Sequence, residues 1–245
     1  MILAGYNPYI YNASENISDL ILEYLEEAES DSRIDANYNQ PQIAESLQTI
    51  LDQKYDTPDG GIESLAVKSH QKAKLTIILS LIKSGKNILT TYKSDLIEKD
   101  LKKLNRYGIE IRPFEFSIPY NLENLIDENT NLIYINSNKI QSNGIGYFES
   151  IVTVANNYDI PVVVDINDKE GFYIPQIING ASIILASTKY LFPEIQSQIG
   201  AMIIDTDKYY WLNPKFPFLK SYLQGIQTSF SIINYFKVQG NIPSL

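Results

Sequence analysis

The stretch Ile160–Pro161–Val162–Val163–Val164–Asp165 decides how this chain is read. A run of β-branched residues without polar alternation suits a strand buried on both faces, as parallel sheets require. It ends abruptly on a carboxylate. A second apolar run, Ile183–Ile184–Leu185–Ala186, leads in the same way into Ser187–Thr188–Lys189. Further buried strands are expected at Asn87–Ile88–Leu89–Thr90, Ile109–Glu110–Ile111, Leu132–Ile133–Tyr134–Ile135 and Ala201–Met202–Ile203–Ile204. Between and around them, residues 17–28, 43–51, 71–82, 96–104 and 147–158 carry helical spacing, and residues 222–236 are helix-like. This alternation predicts an α/β fold, a mainly parallel sheet sandwiched by helices, with ligands collecting at the carboxyl ends of strands. Residues 1–50 are expected to form an N-terminal helical segment and 51–245 the large α/β domain, with a turn-rich surface insertion at 56–61.

Composition narrows the function classes. The 245 residues are 44% hydrophobic and carry a formal net charge of −9, enough apolar material for a sizeable core and the wrong sign for nucleic acid or an anionic membrane. Without cysteine there are no disulfides, thiolate metal sites or cysteine nucleophiles. His70 is the only histidine, which excludes a serine triad and a multi-histidine metal site. The longest apolar stretch, residues 75–82, is interrupted by Ser80 and is too short to span a bilayer, and the first residues lack the pattern of a leader. A soluble, cytoplasmic protein is expected.

Asp165 and Lys189 carry the chemistry. A carboxylate at a buried strand end can hold a protonated ring nitrogen, and a lysine after the next strand can form a Schiff base, the minimum protein machinery for pyridoxal phosphate. The alternative stays open at this point, because many parallel strands end in Asp and many loops carry Lys.

The order of further segments resembles the Cys/Met metabolism family of pyridoxal-phosphate enzymes, especially the O-acetylhomoserine sulfhydrylases. The resemblance runs through Ala4–Gly5–Tyr6, Tyr38–Asn39–Gln40–Pro41, the stretch from Gly60–Gly61 to Ser69–His70–Gln71, Gly108–Ile109–Glu110–Ile111–Arg112, Val164–Asp165, Gly180–Ala181, Thr188–Lys189–Tyr190, Gly200–Ala201–Met202 and Tyr210–Trp211. Each piece is weak alone; their order is specific. The resemblance implies the large domain of the aspartate-aminotransferase-like fold. It implies that Lys189 forms the internal Schiff base and that Asp165 keeps the pyridine nitrogen protonated. Ser69, Thr188, Gln71 and the backbone amides of His70 and Gln71 would surround the phosphate, where a helix start favours anions. Ser187 matches a further phosphate-binding serine only with a gap. Tyr92 lies near the ring-stacking tyrosine, one residue out of register, and reads equally well as a packed strand-end aromatic.

Departures from the family pattern matter as much. His70 stands where the family has glycine; its side chain either crowds the phosphate or, as the simpler expectation has it, points to water as a turn histidine. Ile140 replaces an asparagine that contacts the cofactor, and Asn37 and Asp35 replace an arginine and a tyrosine that reach a neighbouring subunit. Leu191–Phe192–Pro193–Glu194 replaces a glycine-rich stretch, and Lys93–Ser94 a Gly-Gly pair. None of Arg33, Arg106 and Arg112 matches the arginine that grips a substrate carboxylate from the family's C-terminal small domain, which is expected to be missing. Two functions follow from the resemblance: a lyase or transferase of sulfur amino acid metabolism with weak or lost activity, or a non-catalytic homologue that serves in assembly. The expected partners are an amino acid substrate, if the protein is active, and a second copy of the chain or an intact family member. Trp211, Phe216 and Phe218 are expected as an exposed apolar patch that drives this association.

Overall fold

The computed structural model describes residues 63–67, 69–91, 104–166, 175–187, 200–223 and 232–239. Seven strands form one sheet: β1 (Glu63–Val67), β2 (Asn87–Thr91), β3 (Glu110–Phe114), β4 (Thr130–Asn136), β5 (Val162–Ile166), β6 (Ile183–Ser187) and β7 (Ala201–Asp205). Their spatial order is β1-β7-β6-β5-β4-β2-β3. β7 runs antiparallel to both neighbours and every other pairing is parallel, so the mainly parallel sheet is as the apolar runs predict. The six expected strands are all present. β1, which lacks a continuous apolar run, is the one that pattern reading misses.

Helices cover both faces: α1 (His70–Leu81), α2 (Ser137–Asn143), α3 (Ile145–Asn157), α4 (Pro175–Gly180), α5 (Pro217–Leu223) and α6 (Ile232–Gln239). Strand alternation divides the core in two. Ile88, Leu132, Tyr134, Val163, Leu185 and Ile203 pack against α1, α5 and α6, whereas Leu89, Ile133, Ile135, Val164, Ile184 and Met202 pack against Phe148, Ile151 and Ile177 of α3 and α4. α1 lies deepest, buried continuously from Ala73 to Leu81, which is why its sequence shows an apolar run rather than a stripe. The segments expected as helices at 17–28 and 43–51, the insertion at 56–61 and most of 96–104 lie outside the described residues, and the expected 222–236 helix is described only as its flanking parts in α5 and α6.

Two glycines of the quoted segments have structural reasons. Gly108 ends a short turn at φ +72°, and a Cβ there would lie 2.5 Å from Ser84 Oγ. A Cβ on Gly180 would lie 2.8 Å from the Phe148 ring, so this glycine lets α4 close onto α3.

The expected apolar patch is not exposed. Trp211, Phe216 and Leu219 are buried, and α6 lies against α1, β1 and β7, so that Phe218 meets Tyr235 at 6.0 Å between ring centroids and Trp211 meets Phe216 at 5.9 Å. Burial of this aromatic row is reason enough for the chain to close over it. Lys83 completes the cover, its ammonium 4.5 Å from the centre of the Phe218 ring.

At the amino ends of the parallel strands, Arg112 donates to Glu110 at 2.8 Å and to Asp127 at 2.7 Å, while Asn87 donates to Asp127 at 2.9 Å. Burial raises the Asp127 carboxyl, but hydrogen bonds from Arg112, Asn87 and the Asn129 amide outweigh it and hold the group at about 2. Antiparallel β7 brings Asp205 to this same end. Burial pushes the Asp205 carboxyl up to about 6 despite the Asp207 amide that donates to it at 3.1 Å.

Candidate functional site

Parallel strands deliver their last residues to one edge of the sheet, and the sequence places Asp165 at the end of β5. Alternation puts it on the face of Val163, towards α1. α1 begins at the same edge. Ser69 has extended backbone and its Oγ accepts from the Lys72 amide at 3.0 Å, an N-cap of the usual kind. Capping sets the direction of the first turn. It brings His70 and, one turn later, Lys74 onto the same side of the helix, facing the sheet.

The result is a buried polar cluster centred on Asp165, whose side chain has no solvent exposure. His70 Nε2 donates to Asp165 Oδ1 at 2.7 Å, the Tyr134 hydroxyl donates to Oδ2, and Lys74 Nζ lies 3.9 Å from Oδ2. Tyr134 reaches it from β4, where it lies opposite Val163, two residues before Asp165 on the same face. A buried carboxylate must be compensated in this way, since an uncompensated one would cost several kcal/mol. Exposure falls from 22% at the His70 side chain to 8% at Lys74 and none at Asp165. The imidazole is therefore the member of the cluster nearest to solvent.

Most of the described candidates converge here. Ser69, His70 and Gln71 form the start of α1 and Asp165 faces it. Ser187 ends β6 and pairs with Ala201, which also pairs with Val67 of β1, just before the α1 start. Thr188, Lys189 and Tyr92 lie outside the described residues. The expectation that His70 is an outward turn histidine is overturned: it is the first residue of α1 and its ring turns inward, because the buried Asp165 carboxylate needs a donor. Ser69 caps the helix by accepting through its Oγ. Ile140, 1% exposed, belongs to the core behind α2.

Sequence reading misses Lys74 and Tyr134. The signal for Lys74 was available: a lysine on the threshold of the apolar run 75–82, four residues after the sole histidine, must find a counter-charge once buried. Tyr134 gave a weaker one, a hydroxyl inside a strand buried on both faces.

Comparison with known proteins identifies the family. The model of the family described as "Cys/Met metabolism PLP-dependent enzyme" matches residues 23–223. The chain belongs to this family. It is 33% identical over 173 residues to the homocysteine/cysteine synthase of Saccharomyces cerevisiae, an alignment covering 69% of this chain and 39% of that protein. Among solved structures it resembles an O-acetylhomoserine sulfhydrylase of Wolinella succinogenes, with TM-score 0.53, 24% identity and coverage of 73% of this chain and 56% of that one. It also resembles an O-acetylhomoserine (thiol)-lyase of Campylobacter jejuni that carries a pyridoxyl-lysine phosphate, with TM-score 0.54, 24% identity and coverage of 64% and 38%. The chain thus spans about two fifths of the length of the curated relatives it matches.

Pyridoxal phosphate, the cofactor of this family, fits the residues at the Asp165 edge only in part. The start of α1, a 12-residue helix capped by Ser69, has the character of an anion cradle. The Asp165 carboxylate has the right chemistry for a ring nitrogen, but Oδ1 is taken by His70 and Oδ2 by Tyr134 and Lys74. With the imidazole in place, a pyridine ring nitrogen does not fit at Asp165.

Proposed function

We propose that this chain is a pyridoxal-phosphate-dependent lyase- or transferase-like protein of sulfur amino acid metabolism with weak or lost activity. The single observation that carries the reading is Asp165, in the family's segment order and at the sheet edge facing the start of α1, with its carboxylate engaged by the protein itself. Family membership supports the cofactor class. The engaged carboxylate supports impairment, because an unheld ring nitrogen loses the proton that makes the ring an electron sink. Lys189 is assigned to the Schiff base, Thr188, Ser187, Ser69 and Gln71 to the phosphate, and Tyr92 to ring stacking. The substrates belong to the sulfur amino acid or O-acylhomoserine class, the setting is cytoplasmic, and the protein works as a homo-oligomer or paired with an intact family member.

The reading is tested by adding pyridoxal phosphate to the purified protein. The expected result is a visible imine band, fixed by borohydride on Lys189 and absent from Lys189→Ala, with little keto-acid release from cystathionine, methionine or O-acetylhomoserine. A colourless protein, or equal labelling of surface lysines, refutes the cofactor assignment. Turnover at ordinary enzyme rates refutes the impairment.

A further inference from the structure

We propose that His70 is a built-in occupant of the ring-nitrogen position at Asp165, so that a planar, protonated pyridine ligand enters this chain only by displacing the imidazole. The proposal rests on the assignment of Asp165 above. An imidazole N–H and a pyridinium N–H are the same kind of donor, a flat aromatic ring presenting one in-plane hydrogen to a carboxylate. His70 makes that contact at 2.7 Å.

Position as well as chemistry qualifies His70. Lys74 and Tyr134 hold the other carboxylate oxygen from within the core, at 8% side-chain and 2% residue exposure respectively, and have nowhere to go. The His70 side chain is 22% exposed and stands between Asp165, which has no exposure, and solvent. Its place in the first turn of α1, next to the Ser69 cap, lets the side chain change rotamer without breaking the helix. When it leaves, Tyr134 and Lys74 still compensate the carboxylate. The occupant is thus removable and the carboxylate behind it keeps two partners.

Pyridoxine 5′-phosphate is the probe of choice, because it has the ring and the phosphate but no aldehyde and so reads the pocket independently of Lys189. Calorimetric titration of the full chain should give binding to His70→Ala roughly 10- to 100-fold tighter than to the natural protein, the factor expected when a ligand no longer competes with one charge-assisted hydrogen bond. His70→Gln keeps an N–H donor and should stay within about threefold of the natural protein. Because His70 is the only histidine, its ring protons give an unambiguous magnetic resonance signal, which should shift as the probe binds. That shift decides the matter even if His70→Ala fails to fold. Equal affinity across the three proteins, or binding that leaves the imidazole signal unmoved, overturns the occupant while leaving the cofactor assignment intact. Absence of binding by all three overturns both.

Discussion

At the carboxyl ends of the parallel strands Asp165 meets His70, Tyr134 and Lys74 away from solvent, whereas at their amino ends Arg112 meets Glu110 and Asp127 largely in water. Both clusters pair carboxylates with nitrogen donors, at 2.7 and 3.9 Å in the first and 2.7 and 2.8 Å in the second. Their energetics differ because solvent screens one and not the other. Charges taken out of water depend on each other, so the loss of any member is felt; charges left in water are replaced by solvent. The inner cluster is therefore the one whose membership is constrained.

The comparison breaks most directly at Asp165. Asp165→Ala leaves Lys74 buried without a counter-charge among the described residues and is expected to lower unfolding free energy by about 3–5 kcal/mol in urea denaturation at neutral pH. A loss below about 1 kcal/mol would put the two ends on an equal footing.

Asp205 sharpens the contrast from the other side, as a largely buried carboxylate at the amino end with no cation among the causes of its shift. Its folded pKa of about 6 lies above the ordinary value of 3.8, so the folded state holds the proton more tightly than the unfolded one. Its stabilising contribution is complete below about pH 3.8 and is lost as pH rises through about 6. A shift of this size corresponds to about 2–3 kcal/mol. Melting measured between pH 4 and 8 should show a decline with rising pH that Asp205→Asn flattens; an unchanged slope would remove Asp205 as its source.

Lys74→Met should cost less than loss of Asp165, about 1–2 kcal/mol, since His70 and Tyr134 still satisfy the carboxylate and the thioether fills similar volume. A cost equal to that of Asp165→Ala would mean that the lysine, and not the hydrogen bonds, compensates the charge. Arg112→Ala is expected to have the smallest effect, under about 1 kcal/mol, fading further in molar salt. A large, salt-insensitive loss would show that the outer cluster is shielded from water after all.

The fold was legible where burial erased polarity. Val162–Val164 and Ile183–Ala186 admit hardly any reading but inner strands, and the order of segments around them places the chain in its family. β1 escaped notice because Glu63 and Ser64 stand at an edge with one neighbour among the described strands, and their polarity hides the strand. The site was half legible. Asp165 and the α1 start follow from strand ends and a capping serine, but the direction of the His70 ring does not, since a histidine beside a cap is equally at home in water. It is settled by the unexposed carboxylate opposite, a long-range fact. Trp211 and Phe216 were misjudged for a related reason, because the cover supplied by α6 is not adjacent to them in sequence.

The antiparallel insertion of β7 between β1 and β6 also sets an order of events. β1 lies immediately before α1, yet its hydrogen-bonded neighbour is β7, near the far end of the described chain, with Val67 accepting from the Gly200 amide at 2.9 Å. As the chain leaves the ribosome, β2 to β6 can pair while β1 still waits. During that interval β6 presents an open edge of Ile183, Ile184 and Leu185, the kind of surface that recruits strands from other chains. α1 packs against β1 and β7 as well as β6, so its docking beside Asp165 is complete only once β7 is in place.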